Sequence, residues 1–180
     1  MLSKLRAAVF AVASAAAMGV GSANAVIVNA VTNQIESEGL GDIHVVFDSV
    51  SAGDSSNVVS IDYGATPLFN NQTDPVGTLV NIGFVAPGEG LEFRLDNLTK
   101  GMSFITGLAA DNIDGVIHAL LSTNPDGSIT VSFEDLPDGG DFDYNDVVFT
   151  VYETPIPGAL LLLLTGMAGL GAASRGRKTA

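Results

Sequence analysis

The chain has 180 residues, no cysteine, no tryptophan and a formal net charge of −13. The missing cysteines exclude disulfide stapling, the missing tryptophan removes the strongest sugar-stacking ring, and the acidity argues against nucleic acid, whose phosphates such a surface repels. The charge is also unevenly placed. Lys4, Arg6, Arg175, Arg177 and Lys178 lie near the ends, whereas all twenty acidic residues lie within 26–153, accompanied only by Arg94 and Lys100. Two basic against twenty acidic residues give that stretch a formal charge of −18, a balance compatible with divalent cations.

Residues 1–25 read as a signal peptide. Lys4 and Arg6 precede an apolar run over 7–20, and Ala23-Asn24-Ala25 forms an A-x-A site for signal peptidase, with cleavage expected after Ala25. The run is too short for a comfortable membrane span, which takes about 20 residues.

The stretch 26–153, 128 residues, suits one domain with its own core. Short β-branched runs are expected to form strands at 26–28, 43–47, 57–61, 79–85, 91–95, 116–121, 129–133 and 147–152. In Leu91-Glu92-Phe93-Arg94-Leu95 and Ile129-Thr130-Val131-Ser132-Phe133 the apolar residues alternate with polar ones, the two-residue period of a half-buried strand. Asn124-Pro125-Asp126-Gly127-Ser128 reads as a hairpin connection. Residues 99–114 fit a short helix or a loop. The expected fold is all-β, an antiparallel β-sandwich of jelly-roll type, flanked by the N-terminal signal helix and a C-terminal transmembrane helix.

The densest chemistry lies between the last two runs. Six carboxylates and one amide fall within 134–146. Like charges this close are costly unless a positive charge sits among them, and no Arg or Lys does. Oxygen-only donors without His or Cys point to a hard ion, and irregular spacing suits Ca2+, which takes about 6–8 oxygens, better than octahedral Mg2+. Asp141, Asp143 and Asn145 are the first expected ligands, followed by Glu134, Asp135 and Asp146, with Asp138 contributing or facing water. The spacing Asp141-x-Asp143-x-Asn145 is like the start of an EF-hand loop. However, Asp146 replaces the required Gly, and neither the distal Glu nor flanking helices are present. The alternative is an acidic turn in which Asn145 and Asp146 cap the next strand.

Residues 154–180 read as a second address. An uncharged stretch over 156–173 meets the length of a transmembrane helix, and Arg175, Arg177 and Lys178 beyond it should stay cytoplasmic. The acidic domain then lies outside the inner membrane, as the signal peptide also requires.

Two resemblances extend this reading. The run Glu134-Asp135 to Phe149, with Gly139-Gly140-Asp141-x-Asp143-Tyr144-Asn145-Asp146-Val147-Val148-Phe149, resembles the C-terminal signature of the DUF4114 domain, with the rest of such a domain expected from Gly83 onward. That resemblance implies a β-sandwich with calcium binding and no established enzymatic activity. Pro155-Ile156-Pro157-Gly158, the leucine run and the basic end resemble a PEP-CTERM sorting signal, nearest the VPLPA variant. This implies cutting by an exosortase of Gram-negative bacteria and a place at the cell surface or in an exopolysaccharide or biofilm matrix. Ile156 and Gly158 depart from the two common versions.

Other residues carry less. His44 and His118 each fall in an apolar run without a nucleophile beside them, and Ser55, Ser56 and Ser103 lack a neighbouring base. Asn71-Gln72-Thr73 and Asn97-Leu98-Thr99 match a glycosylation acceptor, which in a bacterial chain reads as chance. The expectation is therefore a non-enzymatic, exported surface or matrix protein, transiently held in the inner membrane, with a calcium-binding loop. The alternatives are a calcium-dependent carbohydrate-binding or adhesive module and, last, a hydrolase pairing Glu134 with Asp146.

Overall fold

In the computed structural model the described residues are 26–39, 41–50 and 59–155, with three isolated positions at Leu163, Gly166 and Met167. The expected signal peptide with Ala23 and Ala25, the span 156–173, and Ile156, Pro157, Gly158, Arg175, Arg177 and Lys178 otherwise lie outside them. Among the described residues no helix is long and apolar enough to cross a membrane.

The described chain is mostly β, with its strands paired in antiparallel sheets. Strands β1 (Val26–Asn29), β2 (Gln34–Ser37) and β7 (Gly90–Leu91) form one sheet in the order β1-β2-β7. A second sheet runs β10-β11-β12-β3-β6, from β10 (Ala119–Thr123), β11 (Ile129–Phe133), β12 (Val147–Pro155), β3 (Gly41–Val50) and β6 (Leu79–Phe84). The third, β5-β4-β8-β9, joins β5 (Thr66–Asn70), β4 (Val59–Tyr63), β8 (Phe93–Asn97) and β9 (Met102–Ile105).

Alternation explains which face is buried. In β3, Ile43, Val45 and Phe47 point inward; in β11, Ile129, Val131 and Phe133; in β12, Val147, Phe149 and Val151. A bulge between Val148 and Phe149 sets Phe149 opposite Phe47 and leaves Asp48 outside the pairing. A one-residue slip would turn one of these faces outward, so the bulge keeps both rings on the core side. Phe149 is the hub of that core. Its ring meets Phe93 of β8 at 5.1 Å, Phe69 of β5 at 6.2 Å and Phe133 of β11 at 6.2 Å, while Phe47 stacks on Phe69 at 5.3 Å. Such pairs contribute roughly 0.5–1.5 kcal/mol each beyond their area burial. Val26, Ile35 and Leu91 bring the small sheet into the same core.

Several expectations need correction. The single strand expected over 91–95 is two: Leu91 pairs with Ile35 in one sheet and Phe93 with Tyr63 in another, and the chain changes sheets at Glu92. The run expected at 116–121 starts later, as β10, so His118 lies just outside a strand. Residues 99–114 hold β9 and a 3-10 turn over Ala109–Asp111.

Candidate metal centre

The acidic run forms the connection between β11 and β12, two neighbours in the central sheet, so both ends of the loop are fixed side by side. The register Phe133↔Val147 sets Glu134 and Asp135 against Asp146. Between them the chain makes a 3-10 turn over Pro137–Gly139. It then passes through positive φ at Asp138 (59°), Gly139, Gly140, Phe142 (60°) and Tyr144 (52°). Non-glycine residues in that region cost about 1–3 kcal/mol each and cluster at functional sites. Gly140 is required twice: its φ is positive, and a Cβ there would overlap Glu134 Oε1.

The loop divides by burial. Glu134, Asp135 and Asp146 are 1%, 2% and 7% exposed, whereas Asp138, Asp141 and Asp143 face solvent. Candidate ligand oxygens of Glu134, Asp135 and Asp146 lie within 4.8 Å of one another, and those of Glu134, Asp141 and Asp143 do likewise. Asp146 Oδ2 accepts from Asp135 N at 2.8 Å, and Asn97 Nδ2 donates to the Asp135 carbonyl at 3.1 Å and to its Oδ2 at 3.3 Å. Glu134 Oε1 accepts from Leu136 N at 3.4 Å, but its buried Oε2 has no hydrogen-bond partner. Burial first, then a side-chain hydrogen bond with Asp146 and the charge of Asp146, push the Glu134 carboxyl up to about 8. Asn145 donates its side-chain amide to Asp143 Oδ2, which leaves its carbonyl oxygen as the atom it can offer a cation.

A neighbouring segment grips this loop from behind. Glu134 N donates to His118 O at 2.9 Å, and His118 Nδ1 lies 3.0 Å from the Glu134 carbonyl. His118 Nε2 meets Asp114 Oδ2 at 2.8 Å, and that same oxygen accepts from Asp138 N at 2.8 Å. The imidazole is fully buried and stacks on Phe104 at 3.6 Å. Burial opposes the ionisation of Asp114, but hydrogen bonds from His118, Asp138 N and Val116 N outweigh it and hold its carboxyl below the usual range. Tyr144 Oη donates to Ile117 O at 3.0 Å; burial, then the charge of Glu134, raise its phenol.

Of the residues expected at the site, the structure thus gathers Glu134, Asp135 and Asp146 in a buried group and brings Asp141 and Asp143 to Glu134 from the solvent side. Asp138 joins neither set. Sequence reasoning missed His118, Asp114, Tyr144 and Asn97. Only Asn97 carried a signal: the alternation Phe93, Leu95, Asn97 turns it inward, where an amide must find a partner. Being fully buried, it is no glycosylation acceptor.

A DUF4114 domain occupies residues 77–154; the family is described as a domain of unknown function. The match begins ahead of Gly83, where the sequence signature placed it, and ends in β12. The DUF4114 stretch is not structurally closed: β3, outside it, sits between β12 and β6 in the central sheet. No curated protein and no solved structure matches the chain.

Proposed function

We propose that this is an exported, non-enzymatic cell-surface or matrix protein whose DUF4114 loop binds Ca2+. The observation that carries the cation is the Glu134 carboxyl: buried, beside Asp135 and Asp146, with one oxygen unpartnered. A buried carboxylate group without a compensating positive charge is strongly disfavoured. A hard cation supplies that charge, and Ca2+ suits an all-oxygen set of irregular geometry. On this reading Asp135, Asp146 and Glu134 hold the ion, with Asp141, Asp143 and Asn145 at the solvent side. The ion stiffens the loop between β11 and β12. Support for a non-catalytic role comes from Glu134 and Asp146, which are both buried at the two ends of one loop and so are withdrawn from a substrate.

Export rests on the two ends of the chain: the A-x-A site at Ala23 and Ala25, and the PEP-CTERM-like segment with its basic close. In this reading an antiparallel β-sandwich is carried between a signal helix and a transmembrane helix, cut by signal peptidase and an exosortase-type protease, and placed beside exopolysaccharide.

Thermal unfolding tests the cation. At Ca2+ a hundredfold above Kd, binding adds about 2.7 kcal/mol, or about 10 °C for a domain of this size. A melting temperature unmoved between chelator and millimolar Ca2+ rejects the site, and Glu134→Gln should shrink the gain. Intact mass of the product in its native host tests export. Loss of 1–25 and of the C-terminal segment is expected, and a full-length mass in the cytosol rejects it.

A further inference from the structure

We infer that the loop over 134–146 holds two divalent cations, an inner and an outer one, with Glu134 as the carboxylate common to both. The inference rests on the cation-binding reading above and specifies its stoichiometry.

Oxygens around one Ca2+ lie about 2.3–2.6 Å from it, so ligands on opposite sides of the ion are at most about 5 Å apart. On that scale the carboxylates fall into two sets, not one: Glu134, Asp135 and Asp146, and Glu134, Asp141 and Asp143, each within 4.8 Å. The sets come from different parts of the chain. The first is supplied where β11 ends and where β12 begins, held by strand pairing; the second adds two residues from the middle of the loop. Glu134 belongs to both, and its Oε2 is buried without a hydrogen-bond partner. Had its neighbours' N–H groups taken up both oxygens, as they do for many carboxylates at turns, no ion would be called for. Instead the shared member is the one left unsatisfied.

Charge points the same way. Once metal binding has displaced the proton of Glu134, the five carboxylates of the two sets carry −5; one divalent ion leaves −3 and two leave −1. Burial then separates the two ions. The inner set is buried throughout, so its ion sheds most of its water and its attraction is weakly screened. Asp141 and Asp143 are exposed, so the outer ion keeps water and is held less tightly.

The test is calorimetric titration of the chelator-stripped full-length chain with Ca2+, with bound calcium counted by equilibrium dialysis. Two ions per chain, bound in separable tight and weak events, are expected. The double variant Asp141→Asn with Asp143→Asn should bind one ion, the weak event lost and the tight one kept; both positions are exposed, so the fold is not at stake. Asp135→Asn should lose the tight event. One ion on the unaltered chain, or two on the Asp141/Asp143 double variant, overturns the two-ion arrangement and leaves cation binding standing. No ion at all overturns both.

Discussion

The two connections at opposite ends of β11 use the same residue types with opposite results. At 124–128 the chain satisfies itself: Asn124 N donates to Ser128 O at 2.8 Å, and both Ser128 N and Ser128 Oγ donate to Asp126 Oδ1, at 3.0 and 2.7 Å. Those donors hold the Asp126 carboxyl below its ordinary range while it stays in water. At 134–146 the chain turns its carboxylates on one another and buries three of them, so Glu134 is driven upward. An acidic residue in a turn is therefore no sign of a ligand in itself. What matters is whether the local backbone answers its charge.

The largest effect should come from the grip behind the acidic end. His118→Ala takes one hydrogen-bond partner each from the Asp114 carboxylate and the Glu134 carbonyl and removes the stack on Phe104. Losing two buried hydrogen bonds and a fully buried ring from the core costs about 3–5 kcal/mol, to be read from urea unfolding. A loss under about 1 kcal/mol, the range of an exposed pair, would place this imidazole outside the support of the loop.

A smaller effect separates the two connections by pH, in chelator. The folded Glu134 binds its proton up to about 8, above its ordinary value, so the native state holds more protons than the unfolded state in between. Its contribution is complete below about pH 4.5 and is lost as pH rises toward 8. Asp126 has the opposite sign. Its folded value is depressed, so its contribution is present above the unfolded value and lost as pH falls through the folded one. The melting temperature of the ion-free protein should fall by several degrees between pH 5 and 8, and Glu134→Gln should flatten that slope. Asp126→Asn, exposed and far from the loop, should leave it unchanged. If Asp126→Asn changes the slope and Glu134→Gln does not, the contrast between the two connections is wrong.

Much of the central sheet was legible in the sequence. The alternation in β11 and the β-branched runs of β3 and β12 reflect a face buried against a core, and the hairpin at 124–128 forms where turn residues stand. Strands β2, β5 and β9 were not, because Gln34–Ser37 has one apolar residue, Thr66–Asn70 contains Pro67, and Met102–Ile105 is short. Such strands are made by their neighbours rather than by their own pattern. The switch at Glu92 was hidden for the converse reason: alternation runs unbroken through it although the pairing partner changes. The acidic loop was legible as a density of charge. Its division was not, since burial follows from the register of β11 on β12 and from the segment at 114–118. Asp114 and His118 stand four apart with no helix to announce them.

The position of β12 has a consequence for how the molecule comes into being. It is the last strand among the described residues, yet it lies in the middle of its sheet, between β11 and β3, and carries Phe149. About four fifths of the polypeptide can emerge from the ribosome without the piece that joins β3 to β11, and β3, which meets β6 much sooner, must wait for this other neighbour about a hundred residues downstream. Long-range closure of this kind is slow. On the export route proposed above, a chain threaded through a narrow passage before that segment is available would still lack the strand that closes its central sheet.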